Sequence, residues 1–235
     1  MANVDEREKE KFNSKSVDWW DKNGPLKTLH DINPCRLAYI KSHLELSDAS
    51  ACDIGCGGGI LSSELARQGS HVTAIDAAPK LIEVAQLYAL EHDLDIEYRV
   101  DLSSSLTKTH SNSFDLVTCM ELIEHVPEPL ALVEDCAKLL APGGVLIIST
   151  LNRNLISYTL GILAAEYVLG LIPKGTHEYK KFLKPSELAK LARETGLETL
   201  DISGMYYNPF TRHASIGAPP VINYVASFRK PCPDA

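Results

Sequence analysis

No two of the six cysteines stand as a C-x-x-C pair. Thiolate metal sites of the finger and ribbon kind need that spacing, so the sequence excludes them. The neighbours of Cys35, Cys52, Cys56, Cys119, Cys136 and Cys232 are mostly apolar, which predicts free thiols in a reducing compartment. Positive charge is also short: 23 Lys and Arg face 31 Asp and Glu, for a formal net charge of -8. Such a chain gains nothing overall from counterion release on DNA or RNA, so no nucleic-acid partner is expected. Met1 to Glu10 lacks an apolar stretch and is too acidic for a transit peptide, although a processed chain could have lost one. There is no internal repeat and no low-complexity run. What remains, 235 residues with 45% hydrophobic, suits one domain with a full core.

Residues Val4 to Asp21 read as a charged helix whose aromatic end, Trp19 and Trp20, docks on the domain. Asn33-Pro34 reads as the start of a second helix, because proline is tolerated at the first helical position. An alternation follows. Strands are predicted at Ser50 to Ile54, His71 to Ile75, Ile96 to Val100, Ser113 to Cys119 and Val145 to Ser149. Helices are predicted at Gly58 to Gln68, Pro79 to Glu91, Pro129 to Leu140 and Pro185 to Glu194. Leu197 to Met205 and Ile222 to Phe228 read as two last strands, an antiparallel pair. The fold class is α/β: a seven-stranded, mostly parallel, Rossmann-like sheet with helices on both faces. The expected organisation is N-terminal helices over 1–47, a cofactor-binding core over 48–150, an apolar insertion over 151–184, and a helix with strands over 185–235.

Asp53-Ile54-Gly55-Cys56-Gly57-Gly58-Gly59 follows a strand and opens a helix. A Walker loop needs Gly-Lys-Ser/Thr, which is missing. A dinucleotide fingerprint started at Gly55 would place its last glycine on Ile60, so it fails by one residue. The run fits acid-x-G-x-G-x-G, and Asp76 ends the next strand, where a carboxylate can accept both ribose hydroxyls. This pattern resembles the first motif of the class I methyltransferases, in which the acidic residue lies near the methionine end of S-adenosylmethionine. Ser113 to Met120 and Leu140 to Leu146 resemble two later motifs of that class.

Past Met120 the chain reads Glu121-Leu122-Ile123-Glu124-His125. In a helical turn, Glu121, Glu124 and His125 would share one face at the carboxyl edge of a parallel strand. Two carboxylates and an imidazole form a credible divalent-metal set, with open positions for two adjacent hydroxyls. Metal-free methyltransferases also carry Glu-His-Val here, with the histidine serving substrate or packing, so both readings stand at this point.

A closer resemblance, from about residue 8 to 228, is to the O-methyltransferases of ubiquinone biosynthesis. It is carried by His30 to Leu37, Asp53 to Gly59, Met120 to Val126, Ser149 to Asn154, Gly175 to Tyr179, Lys181-Phe182 and Tyr207-Asn208-Pro209. It implies methylation of a polyprenyl catechol or quinol with S-adenosylmethionine. It implies cofactor contacts at Arg36, Gly55, Asp76 and Met120, beside Asp53 and Gly57 of the glycine motif. It also implies a divalent ion (Mg²⁺, with Zn²⁺ or Mn²⁺ as alternatives) on Glu121, Glu124 and His125. His177 is a second acid/base candidate, or a solvated loop histidine. Tyr206 and Tyr207 line the quinone-head pocket or pack in the core. Tyr179 stands where the family often has Trp. Other readings are a methyltransferase for another phenol or lipid, and a cofactor-binding scaffold.

Leu155 to Ile172 is an 18-residue apolar stretch broken by Glu166 and followed by Lys174, Lys180, Lys181 and Lys184. It reads as a helix packed over the sheet or as an interfacial lid meeting anionic lipid, and hardly as a spanning helix. With the resemblance it implies a peripheral enzyme that contacts the bilayer through about 155–184, with other enzymes of the pathway as candidate partners. That membrane is the mitochondrial inner membrane (matrix side) in a eukaryote, or the inner membrane (cytoplasmic side) in a bacterium.

Overall fold

The computed structural model describes residues 3–154 and 181–233. Five strands run parallel: β1 (Ser50–Ile54), β2 (His71–Asp76), β3 (Ile96–Val100), β4 (Phe114–Met120) and β5 (Leu140–Leu151). Three more, β6 (Glu198–Asn208), β7 (His213–Ala218) and β8 (Asn223–Arg229), extend the sheet by antiparallel pairing. The order is β3-β2-β1-β4-β5-β8-β6-β7. The sheet among the described residues thus has eight strands, where seven were expected. The added one is β7, His-Ala-Ser-Ile-Gly-Ala, a short edge strand whose alternation is carried by only Ala214 and Ile216, both half-buried, and so gives a weak signal.

Helices cover both faces because successive strand residues face opposite sides. Ala51, Ala74, Leu116, Ile147 and Val225 meet the helices α2 (Lys27–Lys41), α3 (Ile60–Arg67) and α4 (Pro79–Glu91). Cys52, Ile75, Val117, Ile148 and Phe228 meet α6 (Pro129–Leu139) and α7 (Pro185–Glu194) on the other face. Between them, α5 (Ser103–Leu106) is one short turn. Cys52, Cys56, Cys119 and Cys136 are buried free thiols, as expected, whereas Cys232 is exposed.

Two local expectations are corrected. Helix α2 begins at Lys27, and Pro34 lies inside it. The lost bond to the His30 carbonyl is tolerated in a helix anchored by buried Ile32, Arg36, Tyr39 and Ile40. The N-terminal helix is shorter than read: α1 (Glu6–Asn13) gives way to a 3₁₀ turn, Ser16–Asp18, before Trp19. Asn13 then accepts from the Lys80 amide at 3.2 Å, tying the end of α1 to the start of α4. Among the described residues no helix is long and apolar enough to cross a membrane. The Leu155 to Ile172 stretch, His177 and Tyr179 lie outside the described residues.

Candidate active site

The carboxyl ends of β1, β2, β3 and β4 open into a cavity of about 520 Å³, lined on one side by the N-terminal segment. Arg36, Asp53, Gly55, Gly57, Asp76, Met120, Glu121 and His125 all line it. The structure therefore brings together every predicted site residue except Glu124, which does not line the cavity, and His177, which lies outside the described residues.

The β1–α3 turn is shaped by its glycines and by Asp76. Gly57 has φ +55°, in the left-handed region that glycine adopts without strain. Its amide donates to Asp76 Oδ2 at 2.9 Å, and the Ala78 amide donates to Oδ1 at 2.8 Å. Each carboxylate oxygen keeps acceptor capacity for a further donor. Burial raises the Asp76 pKa against these amide bonds. Asp53 is directed inward: Ser62 Oγ donates to one oxygen at 2.6 Å and Thr118 Oγ1 to the other at 2.7 Å. Its carboxylate thus ties α3 to β4 beneath the turn.

Arg36 is 5% exposed and its Nη2 lies 3.1 Å from Glu121 Oε1. Its Nε is buried with no protein partner among the described residues. A fork with an unmet N–H beside a glycine turn and an acidic strand end suits an amino-acid carboxylate attached to a nucleoside. These residues fit S-adenosylmethionine.

The predicted metal set is not assembled. Glu121 has φ +53°, so the chain kinks there, and only Ile123–His125 forms a 3₁₀ turn. Helical spacing, which would have placed the three side chains on one face, is lost. Glu121 Oε1 accepts from Arg36 and from Ser149 Oγ at 2.9 Å. Glu124 Oε2 accepts from Thr150 Oγ1 at 2.8 Å, while its Oε1 is buried with no hydrogen-bond partner among the described residues. Burial, and then the charge of Glu121, push the Glu124 carboxyl up to about 7. His125 turns to a different element: its Nδ1 lies 2.9 Å from Glu8 Oε2 on α1. The two side chains form an ion pair when the imidazole is protonated. Phe12 meets the imidazole edge-on, with centroids 5.3 Å apart. Burial pulls the His125 pKa down, but Glu8 and Glu124 outweigh it and the net direction is up. The contact with His125 holds Glu8 low against its own desolvation. Among the described residues, no three His, Cys, Asp or Glu side chains form a group able to hold a metal ion. The residues as placed do not fit the ion.

Glu8, Phe12 and Trp19 are site residues that sequence reasoning did not assign. The only signal for the first two was their i, i+4 spacing on a charged helix. Tyr206 and Tyr207 do line the cavity, with their hydroxyls donating to the Pro219 carbonyl at 3.2 Å and to Asp31 at 2.7 Å.

A family model described as a methyltransferase domain matches residues 33–202. A ubiquinone biosynthesis O-methyltransferase of Xanthomonas euvesicatoria pv. vesicatoria is 47% identical over 98% of this chain and 96% of its own. One from Nitrosospira multiformis is 48% identical over 97% and 95%. Among solved structures, magnesium protoporphyrin IX methyltransferase from Synechocystis PCC 6803 with bound SAH aligns with TM-score 0.68 at 21% identity, covering 94% and 97% of the two chains. A possible histamine N-methyltransferase from Thermotoga maritima aligns with TM-score 0.67 at 17% identity, covering 95% and 99%. Sheet order, glycine turn and strand-end acid, with these likenesses, define an S-adenosylmethionine-dependent methyltransferase. More narrowly, the chain belongs to the ubiquinone biosynthesis O-methyltransferase family.

Proposed function

We propose that the chain methylates a catechol hydroxyl of a polyprenylated ubiquinone precursor, 3,4-dihydroxy-5-polyprenylbenzoate or 3-demethylubiquinol. One observation carries the reading: a single cavity joins Arg36, Gly57 and Asp76 to His125 and to an apolar wall of Leu26, Leu29, Ile32 and Met205. When bound, S-adenosylmethionine supplies a methyl group already activated on a sulfonium. Asp76 accepts from the ribose hydroxyls, the turn at Gly55 and Gly57 lies against the nucleoside, and Arg36 takes the carboxylate. Met120, at the end of β4, borders the same space. The acceptor's difficulty is its proton, since a phenol ionises near pH 10. His125 takes that proton, and the Glu8 carboxylate beside it stabilises the imidazolium. The apolar wall receives the foot of the prenyl tail.

The divalent ion implied by the resemblance finds no ready ligand set, because Glu121, Glu124 and His125 face separate partners. A bilayer-dwelling substrate places the enzyme at a membrane surface, reached through about 155–184. Co-sedimentation with anionic vesicles tests that contact. The reaction is tested by methyl transfer to a prenylated catechol, with and without EDTA and Mg²⁺. Product that depends on His125 supports the base role. A strict requirement for Mg²⁺ would move His125 from base to ligand and show that the three side chains regroup.

A further inference from the structure

The chain has two tryptophans, adjacent in sequence, and both meet the glycine turn. A Cβ on Gly57 would lie 2.3 Å from Trp19 Cζ2, and one on Gly58 would lie 2.3 Å from Cδ1 and 2.6 Å from Nε1. The indole therefore lies along both residues, in a place that only glycine leaves open. Trp19 is 6% exposed, packs with Ala78 and Leu81, and lines the cavity. It thus touches both segments whose amides Asp76 holds. Its Nε1 is buried and has no acceptor among the described residues. A buried N–H without a partner is costly, so the site is arranged for an acceptor that the protein does not provide. Trp20 is satisfied: its Nε1 donates to the Gly58 carbonyl at 3.1 Å, and its ring stacks on Tyr88.

We infer that Trp19 is a cofactor-contact residue: it walls the nucleoside end of the site, and its indole N–H turns to an acceptor atom of the bound cofactor. This rests on the S-adenosylmethionine reading above. The N-terminal segment is then part of the cofactor site, which it reaches through Trp19, as well as of the acceptor side, which it reaches through Glu8.

Because the chain has no other tryptophan, two variants separate the emissions. Trp20→Phe leaves Trp19 as reporter, and Trp19→Phe leaves Trp20. S-adenosylhomocysteine is titrated into each variant and into the unaltered chain, by fluorescence and by calorimetry. Trp19 emission is expected to change and to saturate at the calorimetric Kd. Trp19→Phe, which keeps the ring but loses the donor, is expected to bind about 3- to 10-fold more weakly. Trp19→Ala should bind more weakly still, with the KM for acceptor unchanged in Trp19→Phe. Binding within twofold of the unaltered chain in Trp19→Phe and Trp19→Ala, with silent Trp19 emission, overturns the inference. Thermal melts confirm that Trp19→Phe is folded. No binding to the unaltered chain would instead sink the cofactor reading itself.

Discussion

Glu8 and His125, on α1 and on the turn after β4, face each other at 2.9 Å inside the cavity. The imidazole is buried, yet its pKa is raised, because the nearby carboxylates outweigh desolvation. Removing the Glu8 charge takes away one of those supports, so the His125 pKa falls. A base works in its neutral form, so the acid limb of the kcat/KM profile should move to lower pH in Glu8→Gln. The plateau should fall about tenfold, because the imidazolium formed in the reaction loses its partner. His125→Ala should lose on the order of 10² to 10⁴ in kcat. Rate profiles of the three proteins between pH 5 and 9 check both statements; an unmoved acid limb in Glu8→Gln rejects the pairing.

Among the described residues, Arg36 is a cation beside the glycine turn that is buried and incompletely paired. Arg36→Ala should weaken S-adenosylhomocysteine binding by about 10- to 100-fold, the range of hydrogen bonds to charged groups. Arg36→Lys should recover only part of this, because an ammonium cannot make the planar two-point contact. Calorimetry reads both, and a full rescue by lysine would mean that charge alone matters.

Gly58 has ordinary backbone angles, so alanine there tests space and not conformation. Its Cβ would fall 2.3 Å from the Trp19 ring, which is itself packed against Ala78 and Leu81. Overpacking of this kind costs roughly 1–3 kcal/mol. Gly58→Ala should lower Tm, and combining it with Trp19→Ala should give a loss smaller than the sum of the two single changes. A strictly additive double variant would show that the ring and the turn do not press on one another.

The parallel half of the fold was legible because its signals are local. One apolar strand runs from Ile54 into Gly55 and another ends at Asp76, and Pro79, Pro129 and Pro185 open helices. The edge strand β7 was not, although it only folds back on β6 as a hairpin, with Asn208 opposite His213: it is six residues long, and Ala214 and Ile216 give it little apolar bulk. In the site, Arg36, Gly57 and Asp76 could be named from motif position. The separate facing of Glu121, Glu124 and His125 could not be read from spacing, because a single left-handed residue, Glu121, breaks the helical turn that would put them on one face. Glu8 was invisible for the opposite reason: its partner is more than a hundred residues away, and nothing local marks either as half of a pair.

Glu124 offers a test that does not depend on turnover. Burial and the adjacent Glu121 raise its pKa from the ordinary carboxylate value of 4.5 to about 7. A group whose folded pKa is raised holds its proton more tightly in the native state. Its contribution to stability is complete below pH 4.5 and is lost as pH rises through about 7. Glutamine keeps the shape and an acceptor for Thr150, but it cannot ionise. Glu124→Gln should therefore match the unaltered chain near pH 5 and exceed it in Tm at pH 8, flattening the decline between them. A Tm difference that does not change with pH would show that Glu124 ionises as easily in the folded chain as in the unfolded one. Its unpartnered oxygen would then have to be reached by water or a cation.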